Sequence, residues 1–338
     1  MAKSYNVAVV GATGIVGEQF LKILTKRPFP LRSLKLIASP RSAGKKIAFG
    51  EQMLEVEALS ESSFEGCDLA FISATDEISR DYAPVAAKAG AIVIDDSGVW
   101  RMDPSVPLVV PEINAADVEN HKGILAIPNC STTPMVMALW PVHKNNPVKR
   151  IVAATYQSVS GTGRAAVEEL DLTTRQAIEG HETAPQVYPH QIAFNLIPEI
   201  GSWKEEGYTS EEMKMVNETR KIMHAPDIAI VATCVRVPVY VSHSAAIYAE
   251  FEHPITPHQF ADALRDAPGV VVQDDPANSI YPQPWEAAGT DPVYVGRIRR
   301  DLSCENGIAF WAVGDNLRKG AALNALQIAE ELVARKLI

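Results

Sequence analysis

Cys130 is the residue of this sequence best placed for nucleophilic chemistry. It stands in AIPNCSTTP, residues 126–134, between an apolar run and a helix that we predict to start near Ser131. A thiol at a helix N-terminus faces the positive end of the helix dipole, which lowers the pKa of the thiol and favours the thiolate. Neighbouring backbone N–H groups can also bind a developing oxyanion. The plain structural alternative is a buried packing cysteine.

A thiol nucleophile usually works with an acid/base partner, most often histidine. His243 ends the run RVPVYVSH, which places an imidazole at a strand terminus. Arg236 precedes it by seven residues, a spacing that puts the two side chains on opposite faces of an unbroken strand. Because Pro238 interrupts the alternation, periodicity leaves open whether they share a pocket.

Two charged residues at the start of another predicted helix can bind a substrate that carries both charges. Glu211 and Lys214 lie three residues apart in TSEEMK, residues 209–214, and can bind an amine and an anion. The structural alternative is a surface i,i+3 ion pair, next to a capping box formed by Thr209 and Glu212.

A glycine-rich turn, GATGIVG, follows the strand-like residues 6–10 and opens a predicted helix. Glycine lets the backbone approach a pyrophosphate there, and the helix N-terminus offers N–H groups and a positive dipole. A tight strand-to-helix turn with no ligand is the alternative. The predicted cofactor contacts in this turn are Gly11, Thr13, Gly14, Ile15, Val16 and Gly17.

The loop after the second predicted strand, ASPRSAGKK, favours NADP over NAD. NAD-selective sites place an acidic residue about 20 residues beyond the glycines, whereas this loop contains cations and no acid. A hydroxyl and a guanidinium suit a 2′-phosphate. We predict that Ser39, Arg41 and Ser42 contact it, and a solvated basic loop is the alternative.

Composition excludes several classes of protein. The 338 residues include 31 Lys and Arg against 41 Asp and Glu, and the net charge of −10 weighs against nucleic acid or anionic lipid as the main partner. No uncharged apolar run is long enough to span a membrane, and residues 1–10 leave no room for a signal peptide. The four cysteines form no CxxC pair, which predicts a reduced, cytoplasmic location and no metal site.

The hydrophobic pattern predicts an α/β protein of two domains. In the first third, apolar runs alternate with helical segments, which is typical of a parallel sheet covered on both faces. These strands lie at residues 6–10, 34–38, 69–73, 91–95 and 123–127, with helices at 15–24 and 79–89. Later strands and helices are grouped, as in an α+β domain. The strands lie at residues 151–158, 227–241, 297–300 and 307–313, and the helices at 164–178, 210–223, 256–266 and 316–336.

We therefore expect a Rossmann-like domain at residues 1–132 with 316–338, and an α+β domain at 133–315. Along this whole length the chain resembles the aspartate-β-semialdehyde dehydrogenases. The motifs that carry the resemblance are GATGIVG, ASPRSAGKK, WRMD, VVPEIN, PNCSTTP, ATYQSVSGTG, EEMKMVNETRKI, RVPVYVSHS and GDNLRKGAALNALQIAE.

The resemblance implies an activity. Members of this family use NADPH to reduce L-aspartyl-4-phosphate to aspartate semialdehyde and phosphate through a cysteine thioester. The product leads to lysine by way of diaminopimelate, and to threonine, methionine and isoleucine. The resemblance further implies that residues 1–132 bind NADP and that the second domain is catalytic and forms a homodimer.

The resemblance also implies a role for each matched residue. Cys130 is the nucleophile, His243 the acid/base group, and Gln157 orients the acyl intermediate. Arg236 pairs with the substrate α-carboxylate and Glu211 faces its amine. The positions that bind phosphate are Arg101, Asn129 and Lys214, and the position that contacts the cofactor near the nicotinamide is Asn316.

One segment departs from the family pattern. Before Trp100 and Arg101 the family usually carries a run similar to Asn-Ser-Ser-Ala, whereas this chain has Asp95 and Asp96 followed by SGV. Two carboxylates beside a phosphate site should repel the substrate unless they face elsewhere.

Three alternatives stay open at this point. A reductase of N-acetyl-γ-glutamyl phosphate has the same layout, but its acylated substrate nitrogen gives Glu211 nothing to bind. A thiol hydrolase would leave the glycine turn without a purpose. A non-catalytic NADP-binding regulator would need no reactive thiol at Cys130.

Overall fold

A computed structural model describes residues 3–338. Met1 and Ala2 lie outside the described residues. They are the first two positions of the predicted nucleotide-binding domain and of the segment 1–10, in which we expect no signal peptide. The chain divides into two compact units. One runs up to Asn129 and resumes with Ala321–Ile338, and the other is Cys130–Gly320.

The strands, in chain order, are β1 (Tyr5–Val10), β2 (Leu31–Ala38), β3 (Lys46–Phe49), β4 (Gln52–Ala58), β5 (Leu69–Ile72), β6 (Ile92–Asp95), β7 (Ile124–Ala126), β8 (Val148–Gln157), β9 (Ala229–Arg236), β10 (His243–Phe251), β11 (Val270–Val272), β12 (Val293–Arg300) and β13 (Gly307–Gly314). The helices are α1 (Ile15–Leu24), α2 (Asp76–Lys88), α3 (Pro111–Asn114), α4 (Thr132–His143), α5 (Arg164–Ile178), α6 (Ser210–Ile222), α7 (Pro257–Arg265), α8 (Pro284–Ala287) and α9 (Leu323–Ala334). Short 3₁₀ turns lie at Pro40–Ser42, Glu61–Phe64, Ala115–Asn120, Val159–Thr162, Glu205–Gly207 and Pro276–Asn278. Within residues 3–338, no helix combines the length and apolar character needed to cross a bilayer.

The first unit is built on a seven-stranded sheet in the order β3-β4-β2-β1-β5-β6-β7. Its strands are parallel except β3, which pairs antiparallel with β4. Successive residues of β1 pack on opposite faces, Val9 in the cluster with Phe20 and Phe71, and Val10 in a second cluster. The ring of Phe20 from α1 stacks on Phe71 with centroids 4.3 Å apart. The prediction of a parallel sheet buried on both faces is confirmed.

The second unit is built on a mixed six-stranded sheet in the order β11-β12-β13-β10-β8-β9. One face buries residues such as Ile151 and Ala153, and α4, α6 and α7 pack against this unit's strands. On the other face, Tyr156, Val231 and Tyr248 are exposed although they are apolar. A sheet covered by helices on one face matches the predicted α+β class.

The segment around the predicted strand 227–241 differs from the prediction. β9 ends at Arg236 and β10 begins at His243, because Pro238 cannot donate to a sheet ladder and the link turns through Ser242, which has a φ of +77°. β10 itself was not predicted, since its alanines have weak strand propensity.

The last helix also starts later than predicted. Its first residue is Leu323 rather than residue 316, because Arg318–Ala322 form a π-helical turn. In that turn Gly320 lies against Cys130, and a methyl group added to Gly320 would lie 2.8 Å from Cys130 Cβ.

Candidate active site

The second unit brings most of the predicted catalytic and substrate residues to one end of its sheet. Gln157, the last residue of β8, pairs in register with Arg236, the last residue of β9. His243, the first residue of the antiparallel β10, pairs with Gly314 at the end of β13. All four positions therefore lie at the same end of the sheet. The break around Pro238 brings Arg236 and His243 together, which periodicity left open.

The first turn of α4 packs over this end of the sheet, and the thiol lies just before that turn. A methyl group added to Gly314 would lie 3.2 Å from Pro134 Cγ in the first turn of α4. Cys130 precedes that turn, directly before the N-cap residue Ser131. The thiol thus lies at the helix N-terminus, as predicted, and at the same end of the sheet as His243.

Cys130 differs from the cysteines of the core. It is half-buried, whereas Cys67 and Cys234 are buried. Burial raises the pKa of the Cys67 thiol and of the Cys234 thiol, so both stay protonated near neutral pH. The prediction that these two thiols are core residues is confirmed, and their chemical inertness stays a prediction.

The two ring nitrogens of His243 have different surroundings. Nδ1 accepts a hydrogen bond from the backbone N–H of Ser158 at 3.0 Å, while Nε2 has no hydrogen-bond partner among the described residues. Burial and then the Arg236 guanidinium lower the pKa of His243 to about 3, against the opposing influence of Glu211. The imidazole is therefore neutral at physiological pH.

Asn316 ties together the two segments that flank this imidazole. Its Oδ1 accepts hydrogen bonds from the Ser242 backbone N–H at 2.9 Å and from the Ser158 and Ser160 hydroxyls at 3.2 Å each. Its Nδ2 lies 3.0 Å from Ser160 Oγ. This buried network holds the left-handed Ser242 in place. The predicted contact of Asn316 with a cofactor stays a prediction.

A chain of hydrogen bonds connects β8 to the start of α6. Gln157 Nε2 donates to Glu211 Oε1 at 3.0 Å, and Lys214 Nζ donates to Glu211 Oε2 at 3.1 Å. Glu211 is buried, whereas the Lys214 side chain is 37% exposed. The predicted pair of a carboxylate and a cation is thus present, with Gln157 as a third member.

The neighbouring Glu212 has a structural role. It completes the capping box by accepting from the backbone N–H of Thr209 at 2.7 Å, and its other oxygen accepts from the backbone N–H of Cys234 at 3.0 Å. The predicted capping box is confirmed for Glu212, which leaves Glu211 as the carboxylate available to the site.

Arg236 and His243 face a common space beside Gly161. A methyl group added to Gly161 would lie 3.1 Å from His243 Nε2 and 3.2 Å from Arg236 Nη1. Nη1 of Arg236 donates to the Ser158 carbonyl at 2.6 Å, and its Nε has no partner among residues 3–338. A glycine at 161 therefore keeps open the space that a cationic and an imidazole group share.

Sequence reasoning missed two residues that support Arg236. The ring of Tyr188 lies 5.8 Å from the Arg236 guanidinium, and its hydroxyl lies 3.1 Å from Thr162 Oγ1. The buried carboxylate of Glu169 accepts from the consecutive backbone N–H groups of Gln186, Val187 and Tyr188, at 2.6, 2.5 and 3.3 Å. The sequence signal for this segment is the pair of prolines at 185 and 189, which predicts a loop.

In the first unit, the predicted nucleotide turn is tight and requires glycine at two positions. Gly11 has a φ of +83°, and a methyl group there would lie 1.9 Å from the Ser73 carbonyl oxygen. A methyl group on Gly17 would lie 2.3 Å from the Gly11 carbonyl oxygen. Gly14 is the N-cap of α1 and offers no side-chain hydrogen bond, so no N-cap side chain covers the first turn, which contains Ile15 and Val16. Thr13, just before it, is half-buried. The residues fit a dinucleotide phosphate.

The predicted 2′-phosphate residues lie next to this turn. Ser39, Arg41 and Ser42 belong to the 3₁₀ segment directly after β2, whose Ile37 pairs with Val10 at the end of β1. Arg41 and Ser39 are exposed and Ser42 is half-buried. A guanidinium and two hydroxyls on an exposed turn fit a phosphate monoester.

The remaining predicted residues, Arg101 and Asn129, are both buried in the part of the chain assigned to the first unit. Arg101 donates from Nη2 to the Asp96 carbonyl at 2.8 Å. Asp96 accepts through Oδ2 from Ser73 Oγ at 2.8 Å, so that oxygen faces a hydroxyl.

Asp95 faces the interior of this unit. Its oxygens accept from Ser79 Oγ and Ser97 Oγ at 2.5 Å each and from the Ser97 backbone N–H at 2.8 Å. Burial raises the pKa of Asp95. The expected repulsion between these two aspartates and a phosphate is thus reduced, because both carboxylates face hydroxyl partners.

Comparison with known proteins gives a consistent family. The family model described as "Semialdehyde dehydrogenase, NAD binding domain" matches residues 6–121, and "Semialdehyde dehydrogenase, dimerisation domain" matches residues 139–319. The chain is 52% identical to an aspartate-semialdehyde dehydrogenase of Aquifex aeolicus, over 99% of both chains.

Solved structures agree. The fold is similar to aspartate semialdehyde dehydrogenase II of Vibrio cholerae complexed with ASA, with a TM-score of 0.96, 42% identity, and coverage of 98% of this chain and 99% of the other. It is also similar to an aspartate semialdehyde dehydrogenase of Candida albicans with NADP, with a TM-score of 0.78, 25% identity, and coverage of 99% and 100%. The chain therefore belongs to the aspartate-semialdehyde dehydrogenase family.

Proposed function

We propose that this chain is an NADPH-dependent aspartate-semialdehyde dehydrogenase, which converts L-aspartyl-4-phosphate into L-aspartate 4-semialdehyde and phosphate. The observation that carries the proposal is the arrangement at the end of the second sheet. There a half-buried thiol at a helix N-terminus lies at the same end of the sheet as His243, Arg236 and the Gln157–Glu211 pair. The products of this reaction serve the biosynthesis of lysine, threonine, methionine and isoleucine.

The charged groups at this end of the sheet match the two charges of an amino acid substrate. Arg236, with Nε unpartnered among the described residues, would bind the α-carboxylate as a planar donor. Glu211 would accept from the α-ammonium group. The Gln157 amide, which donates to Glu211 Oε1, would orient the acyl group. An N-acetylated substrate has no ammonium group, so it would place no positive charge against the buried carboxylate of Glu211 in a reductase of that type.

On the second unit, phosphate recognition would fall to Lys214, which presents a partly exposed ammonium at the start of α6. The family resemblance gives the same role to Arg101 and Asn129. Local positive charge of this kind is needed, because the chain as a whole carries a charge of −10.

The chemistry follows from the thiolate. Cys130 Sγ attacks the acyl carbon and forms a C–S bond, while the C–O bond to phosphate breaks and its electron pair leaves with the phosphate. When bound, NADPH supplies the hydride that reduces the resulting thioester. Cys130 then leaves with the electron pair of the C–S bond as the aldehyde carbonyl forms, and the thiolate is regenerated.

The first unit would hold NADP. Its glycine turn and the first turn of α1 would bind the pyrophosphate, and Ser39, Arg41 and Ser42 would bind the 2′-phosphate. The combined Ser39→Ala and Arg41→Ala variant should lose most of its preference for NADP over NAD in kcat/KM. An unchanged preference would refute this assignment, and wild-type thermal stability is the control for folding.

We also propose that the chain is a cytoplasmic homodimer that buries the face of the second sheet opposite α4, α6 and α7. Tyr156, Val231 and Tyr248 are exposed on that face, and contiguous apolar surface of this kind marks an interface. All four cysteines are free thiols, as in reduced compartments. A Val231→Glu and Tyr248→Glu variant should elute as a monomer; a wild-type monomer would refute the dimer.

The reaction is tested in its reverse direction. Purified protein with aspartate semialdehyde, phosphate and NADP should form NADPH at a rate that depends on phosphate, and Cys130→Ala should abolish the signal. In the forward direction, aspartyl phosphate should be reduced and N-acetyl-γ-glutamyl phosphate should not. Equal rates in wild type and Cys130→Ala would refute the mechanism.

A further inference from the structure

The guanidinium of Arg236 lies over the ring of Tyr188. Its Cζ is 5.8 Å from the ring centroid, within the distance at which a cation is attracted to an aromatic face. Burial, ahead of the opposing effects of Arg236 and Thr162, raises the pKa of Tyr188, so the phenol is neutral at physiological pH. The contact therefore joins a cation to the π face of an uncharged ring.

A hydrogen bond restrains the same guanidinium independently of the ring. Nη1 of Arg236 donates to the carbonyl of Ser158 at 2.6 Å. The residue is buried, and its Nε has no hydrogen-bond partner among residues 3–338. A buried donor without a partner is unfavourable, so this guanidinium is held at one nitrogen and ready for an acceptor at another.

The hydroxyl of Tyr188 attaches its ring to the segment that holds this acceptor carbonyl. It donates to Thr162 Oγ1 at 3.1 Å, and the Val159 carbonyl lies 3.5 Å away. Both partners belong to the 3₁₀ segment Val159–Thr162, which directly follows Ser158. The ring and the Ser158 carbonyl, the two restraints on Arg236, are therefore fixed to one short stretch of chain.

The backbone that carries Tyr188 is fixed as well. The buried carboxylate of Glu169, in α5, accepts from the N–H groups of Gln186, Val187 and Tyr188. A carboxylate that accepts several backbone N–H groups is a strong, charge-assisted anchor. An irregular loop is thus ordered at the residue whose ring meets the guanidinium.

We propose that Tyr188 is a positioning residue that holds the guanidinium of Arg236 in the orientation that receives the substrate carboxylate. This inference deepens the proposed function and rests on it for the identity of the ligand. Without the ring, Arg236 would keep its bond to Ser158 but gain freedom, and the substrate would have to order it on binding. Ordering one long side chain weakens binding by about twofold to tenfold.

The effect should fall on binding of the semialdehyde and not on the chemical step. Two carbon atoms separate the α-carboxylate of the substrate from the carbon that reacts. A contact made equally in the bound substrate and in the transition state changes KM and leaves kcat in place. The KM for phosphate should also stay constant, whereas a general distortion of the site would raise it.

Steady-state kinetics with aspartate semialdehyde as the varied substrate tests the role. Tyr188→Leu should raise its KM by about threefold to tenfold with kcat within about twofold of wild type. Tyr188→Phe keeps the ring and should stay within about twofold of wild type in both quantities. Val187→Ala, which shortens an exposed side chain of the same loop, is the matched control and should match wild type.

Three kinetic results would overturn the inference. They are an unchanged KM for aspartate semialdehyde in Tyr188→Leu, a Tyr188→Phe enzyme as impaired as Tyr188→Leu, and an equal rise in KM for phosphate. If Tyr188→Leu does not fold, Glu169→Gln replaces it, because that change loosens the loop and keeps the ring.

Modification of arginine by phenylglyoxal gives a second measurement that needs no turnover. The rate at Arg236, followed by peptide mass, should rise several-fold in Tyr188→Leu and stay at the wild-type value in Tyr188→Phe, because a guanidinium released from the ring is more accessible to the reagent. Equal rates in Tyr188→Leu and wild type would overturn the inference. A wild-type protein without activity on aspartate semialdehyde would refute the proposed function, while the modification rates would still decide whether the ring restrains Arg236.

Discussion

The space beside Gly161 gives the sharpest test of the site geometry. In Gly161→Ala the new methyl group would lie 3.1 Å from His243 Nε2 and 3.2 Å from Arg236 Nη1, closer than ordinary van der Waals contact. The backbone of Gly161 is not in the left-handed region, so alanine fits its conformation. The methyl group therefore acts on these two side chains and on the space between them rather than on the fold.

The expected magnitude follows from these distances. The two side chains must give way by a few tenths of an ångström, and the methyl group fills space that we assign to substrate. Misplacement of reacting groups by about 1 Å costs about a hundredfold in rate, so a smaller shift together with the lost substrate space should lower kcat/KM by about ten- to a hundredfold. Replacement of glycine by alanine where the backbone allows it stabilises a fold by about 0.4–1 kcal/mol, so the thermal midpoint should not fall.

Steady-state kinetics with aspartate semialdehyde, phosphate and NADP measures the first quantity, and calorimetry the second. Calorimetry also serves as the control for folding, because a misfolded variant would lose thermal stability together with activity. A Gly161→Ala enzyme with wild-type kcat/KM would refute the placement of substrate between His243 and Arg236.

Two further predictions concern buried ionisable groups. Glu169→Gln weakens the anchor of the loop that carries Tyr188, so KM for aspartate semialdehyde should rise about tenfold with kcat nearly unchanged; the exposed Glu168→Gln is the matched control, and a fall in kcat alone would contradict the role. The folded-state pKa of His243 of about 3 lies below its unfolded value of 6.5, so the unfolded chain binds more protons between these values and stability falls as pH falls. From pH 7 to pH 5, wild type should lose about 2 kcal/mol more free energy of unfolding than His243→Gln, measured in urea; equal losses would show that the imidazole is not buried as neutral.

Local sequence signals predicted the elements that depend on local physics. The helices at 15–24 and 164–178 have the bounds that their amphipathic periodicity indicates. Thr256 caps α7 ahead of Pro257, as the capping pattern predicts. Each of these signals lies within one helix, where spacing along the chain is also spacing in three dimensions.

The network around His243 could not be predicted in this way. Ser158 and Asn316 are 158 residues apart in the chain, and no periodicity links them. Likewise, the sequence places Asp95 beside a phosphate position. In the structure its carboxylate is buried and accepts a hydrogen bond from the Ser79 hydroxyl of α2. These contacts join residues that are separated in the chain, and they form only when the strands are assembled into a sheet.

The central claim, a covalent acyl group on Cys130, is tested most directly by trapping. Protein mixed with aspartyl phosphate in the absence of NADPH, then quenched in acid and digested, should yield a peptide containing Cys130 with the added mass of an aspartyl group. Hydroxylamine should remove that mass, and addition of NADPH before the quench should prevent its accumulation. Aldehyde formation by an enzyme whose Cys130 peptide never gains the acyl mass, or gains it at another residue, would contradict the account.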